Sequence, residues 1–87
     1  MPISVELQAA VDKYDSFSKQ PKDTERLELY GLYKQAALGD NDTKKPGMFD
    51  IVAKYKWEAW TSRKGMAQDV AEKLFIALVD KLALTYA

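Results

Sequence analysis

An all-α fold of four helices packed as a bundle is what the sequence predicts, and three observations carry it. Apolar residues recur at three- and four-residue spacing in four separate stretches, turn-forming clusters divide those stretches, and no period-two alternation of any length competes. Single amphipathic helices must bury their apolar faces against one another, which makes a bundle the natural architecture. With 87 residues the chain is read as one domain over residues 1–87. A chain of this size buries only roughly 60% of the surface its unfolded form exposes. Large aromatic side chains, 11% of the residues, make that small core efficient.

The first helix carries Leu7, Ala10, Val11, Tyr14 and Phe17 at helical spacing, with Ser4 placed to cap its start and Pro21 ending the unit. The second is expected to begin near Asp23, a good N-cap, and to stop at Leu38 before Gly39. GDNDTKKPGMFD, with its glycines, proline and turn formers, is a loop. The third helix spans roughly residues 51–63 behind an N-cap at Asp50. It sets Ala53, Trp57 and Trp60 on one face with Lys56 at its border, and both tryptophans are expected in the core. After Gly65 the last helix, roughly 67–85, bears a broad apolar band of Val70, Ala71, Leu74, Phe75, Leu78, Leu82 and Tyr86. Ile76, Ala83 and Leu84, off its main face, leave room for a protein- or membrane-facing surface there.

Composition narrows the chemistry. Cysteine and histidine are both absent, which removes disulfides, thiolate nucleophiles, imidazole bases and ordinary zinc sites. The carboxylate pairs Asp12 with Asp15 and Asp40 with Asp42 fall on a solvated face and in a turn, with nothing to raise a carboxyl pKa. The loop lacks the glycine and glutamate of a calcium site and the G-K-[ST] ending of a phosphate loop. No apolar run approaches membrane-spanning length, and MPISVELQAA does not read as a secretion signal, so the expected location is cytoplasmic.

Charge is distributed unevenly beneath a net of zero. Residues 43–64 hold six basic side chains (Lys44, Lys45, Lys54, Lys56, Arg63 and Lys64) against Asp50 and Glu58, a local net of +4. A basic face on a neutral protein suits a compact anionic ligand better than a nucleic acid, although an ordinary solvated surface has the same composition.

In ELYGLYKQAALGD the helical wheel places Leu29, Leu32 and Ala36 in a central stripe, then Tyr33, then Tyr30, then Lys34. Two readings of this graded edge stand side by side. Tyrosines at a core boundary keep their hydroxyls wet while burying their rings. Alternatively the trio is a shelf, offering ring faces to a planar heterocycle and hydroxyls with an ammonium to a phosphate. Gly31 costs the helix about 1 kcal/mol relative to alanine, which fits the close approach of a ligand or of a neighbouring helix. Lys56, beside the tryptophan face, either snorkels into solvent or points at the same anion as Lys34.

ELYGLYKQA, GDNDTKKPGMFD, KYKWEAW and KGM, in that order and spacing across nearly the whole chain, resemble the acyl-CoA-binding protein family. The resemblance implies an up-down-down-up bundle of four helices and a bowl-shaped site for long-chain fatty acyl-CoA esters. It implies binding and transport without catalysis and without a cofactor. By the same resemblance Tyr30, Tyr33 and Lys34 hold the adenosine 3′-phosphate part of CoA, and Lys56 is a further headgroup contact. Phe75 stands where the family commonly has a binding-site tyrosine, and the acyl chain lies near apolar residues such as Leu27. Fatty acyl-CoA esters are thus the expected partners, with transient contact to acyl-CoA-using enzymes or membranes, no nucleic acid, and a monomeric protein. The chain departs from the family pattern at several positions. Val52 replaces a common lysine, Asp15 a first-helix lysine of some members, Asp42 the usual loop asparagine, and Ala67 a capping serine.

Overall fold

A computed structural model describes residues 3–87, and it folds them into four α-helices: α1 (Val5–Asp15), α2 (Asp23–Leu38), α3 (Ile51–Thr61) and α4 (Gln68–Tyr86). Local chemistry sets most of the ends. The Ser4 hydroxyl accepts from the Leu7 amide at 3.0 Å, and the Asp50 carboxylate accepts from the Ala53 amide at 3.3 Å, each satisfying an otherwise orphaned N–H. Gly39, at φ 81°, adopts the left-handed backbone that closes α2 without a Cβ penalty.

The start of α2 differs from expectation by one residue. Lys22 occupies the cap position, and its amide donates to Glu25 Oε1 at 2.9 Å. Asp23 lies inside the first turn, where its carboxylate pairs with Arg26 and complements the helix dipole. The third helix ends two residues earlier than the spacing suggests, since residues 62–65 form a turn ending at Gly65 with φ 89°.

Long-range contacts fix the helix directions. Ser4 at the start of α1 donates to Glu72 near the start of α4, while Lys13 near the end of α1 pairs with Asp80 at 2.7 Å. The two helices therefore run parallel. The Tyr86 hydroxyl at the end of α4 donates to Glu25 at the start of α2, and Gln68 at the start of α4 donates to the Ala36 carbonyl late in α2. Those helices are antiparallel. Along α2 and α3, Tyr30 neighbours Lys56, Gly31 neighbours Ala59 and Lys34 neighbours Trp60, so this pair runs in the same sense. The topology is up-down-down-up, and it follows from the long loop that carries the chain back before α3 begins.

Packing joins the helices in the order α1, α4, α2, α3. Leu7 and Ala10 from α1, Leu29 and Leu32 from α2, and Phe75, Val79 and Leu82 from α4 form the core. On α4 the buried stripe is Ala71, Phe75, Val79 and Leu82, a regular run of four-residue and three-residue steps. Val70 and Leu74, part of the expected band, are exposed instead, and Val79, absent from that band, is fully buried. The reason is that α4 packs against two helices, and its buried face is centred between them. Ile76 packs on the core and Ala83 is half-buried, so of these three only Leu84 is exposed.

Two buried polar residues organise the loop between α2 and α3. Gln35 donates through Nε2 to Asp40 at 2.9 Å and to the Met66 carbonyl at 2.8 Å. Asn41 donates to Thr61 Oγ1 at 3.0 Å and accepts from the Thr43 amide at 2.9 Å. The exposed neighbour Asp42 takes no part in this. Asp40 also accepts from the Gly65 amide at 2.8 Å, and this bond, followed by that from Gln35, lowers its carboxyl pKa. The stability it contributes is therefore present above the unfolded carboxyl pKa and is lost as pH falls through the lowered one. Trp57 belongs to this loop rather than to the core: half-buried, it donates from Nε1 to the Thr43 carbonyl at 3.1 Å. Trp60 is buried and donates to the Gly39 carbonyl at 2.8 Å.

Candidate functional site

Because α1 packs on α4 and α3 on α2, the outer helices stand apart and a cavity of about 840 Å³ opens between them. Val11, Tyr14 and Asp15 line it from α1, and Val52, Tyr55 and Lys56 from α3. Leu27, Leu29, Tyr30 and Tyr33 supply the α2 side, and Phe75 of α4 reaches it from the core. This volume lies within the range of small-molecule sites, and the lining is predominantly apolar with a few polar groups at the mouth.

Five of the six residues singled out from the sequence meet on this cavity: Leu27, Tyr30, Tyr33, Lys56 and Phe75. The sixth, Lys34, is not on its wall. Its ammonium lies 5.7 Å from the Tyr30 ring centre and 5.6 Å from that of Trp60. The Lys56 ammonium approaches the same Tyr30 ring at 5.6 Å. Tyr30 is thus flanked by two cations from two helices, at distances where the negative ring face attracts ammonium groups. Tyr33 is held differently, with its ring centre 5.9 Å from that of Phe75 at a 56° tilt.

The cation pair depends on how closely α2 and α3 approach. At Gly31 an added Cβ would collide with the Ala59 carbonyl, lying 2.9 Å from its carbon atom. The glycine therefore admits the α3 backbone, deciding between the two roles its position allows. The Trp60 ring, tied to Gly39, forms the wall beside which Lys34 settles.

Asp15 on α1 and, on α2, Thr24 and the Asp23–Arg26 pair also line the cavity. Tyr14, Tyr55 and Arg26 are lining residues that the sequence alone does not point to. For Tyr55 a partial signal exists, since it falls three residues after Val52 and one before Lys56, on the helix border opposite Trp60. Tyr14 and Arg26 carry no comparable signal, because only the tertiary gap between α1 and α3 reveals them. Among the described residues no group of three or more acidic side chains gathers as a metal site would require, and no helix is long and apolar enough to cross a membrane.

The arrangement joins an anion-attracting, ring-bearing rim to an apolar hollow, a geometry for holding an amphipathic anion. Comparison with known proteins agrees with that outline. The sequence model of the family described as "Acyl CoA binding protein" matches residues 5–79. The acyl-CoA-binding protein homolog of Drosophila melanogaster is 46% identical over 85 residues, covering 98% of this chain and 99% of its own. The acyl-CoA-binding protein of Saccharomyces cerevisiae is 56% identical over 68 residues, 78% of each chain. Among solved structures, the crystal structure of Oryza sativa acyl-CoA-binding protein 2 superposes with a TM-score of 0.85 at 34% identity, covering 88% of this chain and 86% of that one. The solution structure of the yeast protein gives 0.76 at 46% identity, covering 97% and 98%.

Proposed function

Since the chain belongs to the acyl-CoA-binding protein family, we propose that it binds long-chain fatty acyl-CoA esters reversibly, buffering and carrying them in the cytoplasm as a monomeric single domain over residues 1–87. The family is one of non-catalytic binders, and the chain is not an enzyme. The observation that carries the proposal is Tyr30 flanked by the Lys34 and Lys56 ammoniums at the mouth of the apolar cavity.

The CoA 3′-phosphate, a dense dianion, takes charge-assisted hydrogen bonds from Lys34 and Lys56, with a tyrosine hydroxyl adding another. Adenine stacks on a tyrosine face, and the acyl chain lies along Leu27 and the apolar lining. Each methylene removed from water contributes about 0.8 kcal/mol, so ten supply about 8 kcal/mol before ordering costs. Nanomolar affinity requires about 12 kcal/mol. The headgroup must therefore supply the remainder together with the cost of ordering the ligand. No cofactor enters this scheme, and neither does nucleic acid.

The test is calorimetry across acyl-CoA chain lengths, with the dephospho-CoA ester and the free fatty acid as comparators. Affinity is expected to rise with chain length and to fall when the 3′-phosphate is removed, with the free acid weakest. Equal affinity with and without the phosphate would remove the role given to the lysines.

Phe75→Tyr gives a second measurement. Phe75 is a core residue whose ring also lines the cavity, so a para-hydroxyl there adds one polar group to the cavity wall. One hydrogen bond contributes about 0.5–1.5 kcal/mol, so the variant is expected to bind acyl-CoA tighter by up to about tenfold. Unchanged affinity would mean that no ligand atom lies within its reach.

A further inference from the structure

Among the described residues, five exposed apolar side chains gather at the entry to α3. Met48 and Phe49 are 75% and 94% exposed, and Ile51, Val52 and Tyr55 follow them at the surface. The backbone puts the first two there. The Asp50 amide donates to the Gly47 carbonyl at 3.0 Å, closing a turn whose two central residues are Met48 and Phe49. Gly47 has open space where a Cβ would point, and Asp50 then caps α3. A fixed turn thus carries two large apolar residues on its tip, where polar turn formers are the rule.

From the tip, Val52 and Tyr55 continue the apolar surface, and both line the cavity. In sequence it is flanked by the exposed Lys44, Lys45 and Lys56 and the half-buried Lys54, with the Lys45 ammonium 6.0 Å from the Trp57 ring centre and that of Lys56 beside Tyr30, against Asp50, whose carboxylate is engaged at the helix start. Asp42 and Glu58 lie just outside this stretch.

We infer that the Gly47–Asp50 turn and the first turn of α3 form a docking edge for an anionic lipid surface, with Met48 and Phe49 entering the headgroup layer and the flanking lysines meeting the lipid phosphates and carboxylates. The shape and the charge select this occupant. An exposed apolar turn tip with lysines on either side of it in sequence inserts into a soft anionic interface without needing a preformed groove. Continuity with Val52 and Tyr55 leads from that interface to the cavity mouth. Only the identity of what would cross the contact rests on the acyl-CoA reading; the docking itself does not.

The experiment uses the full chain without ligand and sedimented vesicles of about three parts phosphatidylcholine to one part phosphatidylserine, beside vesicles of phosphatidylcholine alone. Binding is expected to the anionic vesicles only. It should weaken as salt is raised from about 0.05 M to about 0.5 M, and fall at least tenfold in Phe49→Asp. Leu84→Asp, at the exposed leucine near the end of α4, is expected to bind like the parent chain. Phe49 is not part of the cavity wall, so Phe49→Asp should keep its acyl-CoA affinity in solution. That calorimetric result separates failure of the docking edge from failure of the ligand reading. Absence of binding to anionic vesicles would overturn the inference, as would binding that Phe49→Asp leaves unchanged. A concentration-dependent dimer of the parent chain that Phe49→Asp dissolves would assign the edge to a second copy instead, and overturn it equally.

Discussion

Lys34→Ala and Lys56→Ala are each expected to weaken binding of a long-chain acyl-CoA at least tenfold while leaving the helical fold intact. A hydrogen bond to a charged group contributes about 1.5–3 kcal/mol, and tenfold corresponds to about 1.4 kcal/mol. The fold should survive because, among the described residues, neither ammonium forms an ion pair with a carboxylate; each lies instead against the Tyr30 ring. The two variants are not expected to be equivalent. Lys56 is exposed on the cavity wall and loses mainly its ligand contact, whereas Lys34 is half-buried and packs beside Trp60. Calorimetry of the single and double variants, with circular dichroism as a control, measures both effects. If both ammoniums serve one phosphate, the double variant should lose less than the two single losses combined. Unaltered affinity in both single variants would sink the headgroup assignment.

Gly31→Ala is expected to destabilise the protein by about 1–3 kcal/mol, the usual cost of overpacking. Helix propensity predicts the opposite sign, a gain of about 1 kcal/mol from replacing glycine inside a helix. Contact with the backbone decides between them, because the Ala59 carbonyl cannot rotate away as a flexible side chain would. Relief requires α3 to move outward, which also carries Lys56 away from Tyr30. A correlated loss of denaturation midpoint and of acyl-CoA affinity is the expected signature. A variant more stable than the parent would show that the helices separate at little cost.

What the sequence discloses about this chain is mostly what near neighbours determine. Ser4, Asp50 and Gly39 act where their types and positions suggest, since a cap bonds within one turn of itself. The spacing of Tyr30, Tyr33 and Lys34 likewise places them along one helix edge. Lys34 shows the limit of such reasoning: the wheel orders the trio correctly, but the cavity wall stops at Tyr30. On α4, apolar residues cover more than one face, and only the positions of α1 and α2 determine that Val79 is buried while Val70 and Leu74 are not. Trp57 misleads for a related reason. A tryptophan is large enough to anchor a loop through its N–H while burying only part of its ring. Gln35 and Asn41 carry no sequence sign of burial, because their partners lie in a loop and in other helices.

The order in which the helices pack has a mechanical consequence. A row running α1, α4, α2, α3 is an arch whose two feet, α1 and α3, are joined only through the span above them. Nothing in the arch itself sets the gap between Tyr14 and Tyr55 directly; it is inherited from two intervening interfaces, and small tilts at each add up across the opening. A guest seated in that gap acts as a tie-beam, touching both feet at once. Part of its interaction energy is then used to fix the width of the opening, so the protein should be stiffest when loaded, and acyl chains of different length should meet openings of slightly different width.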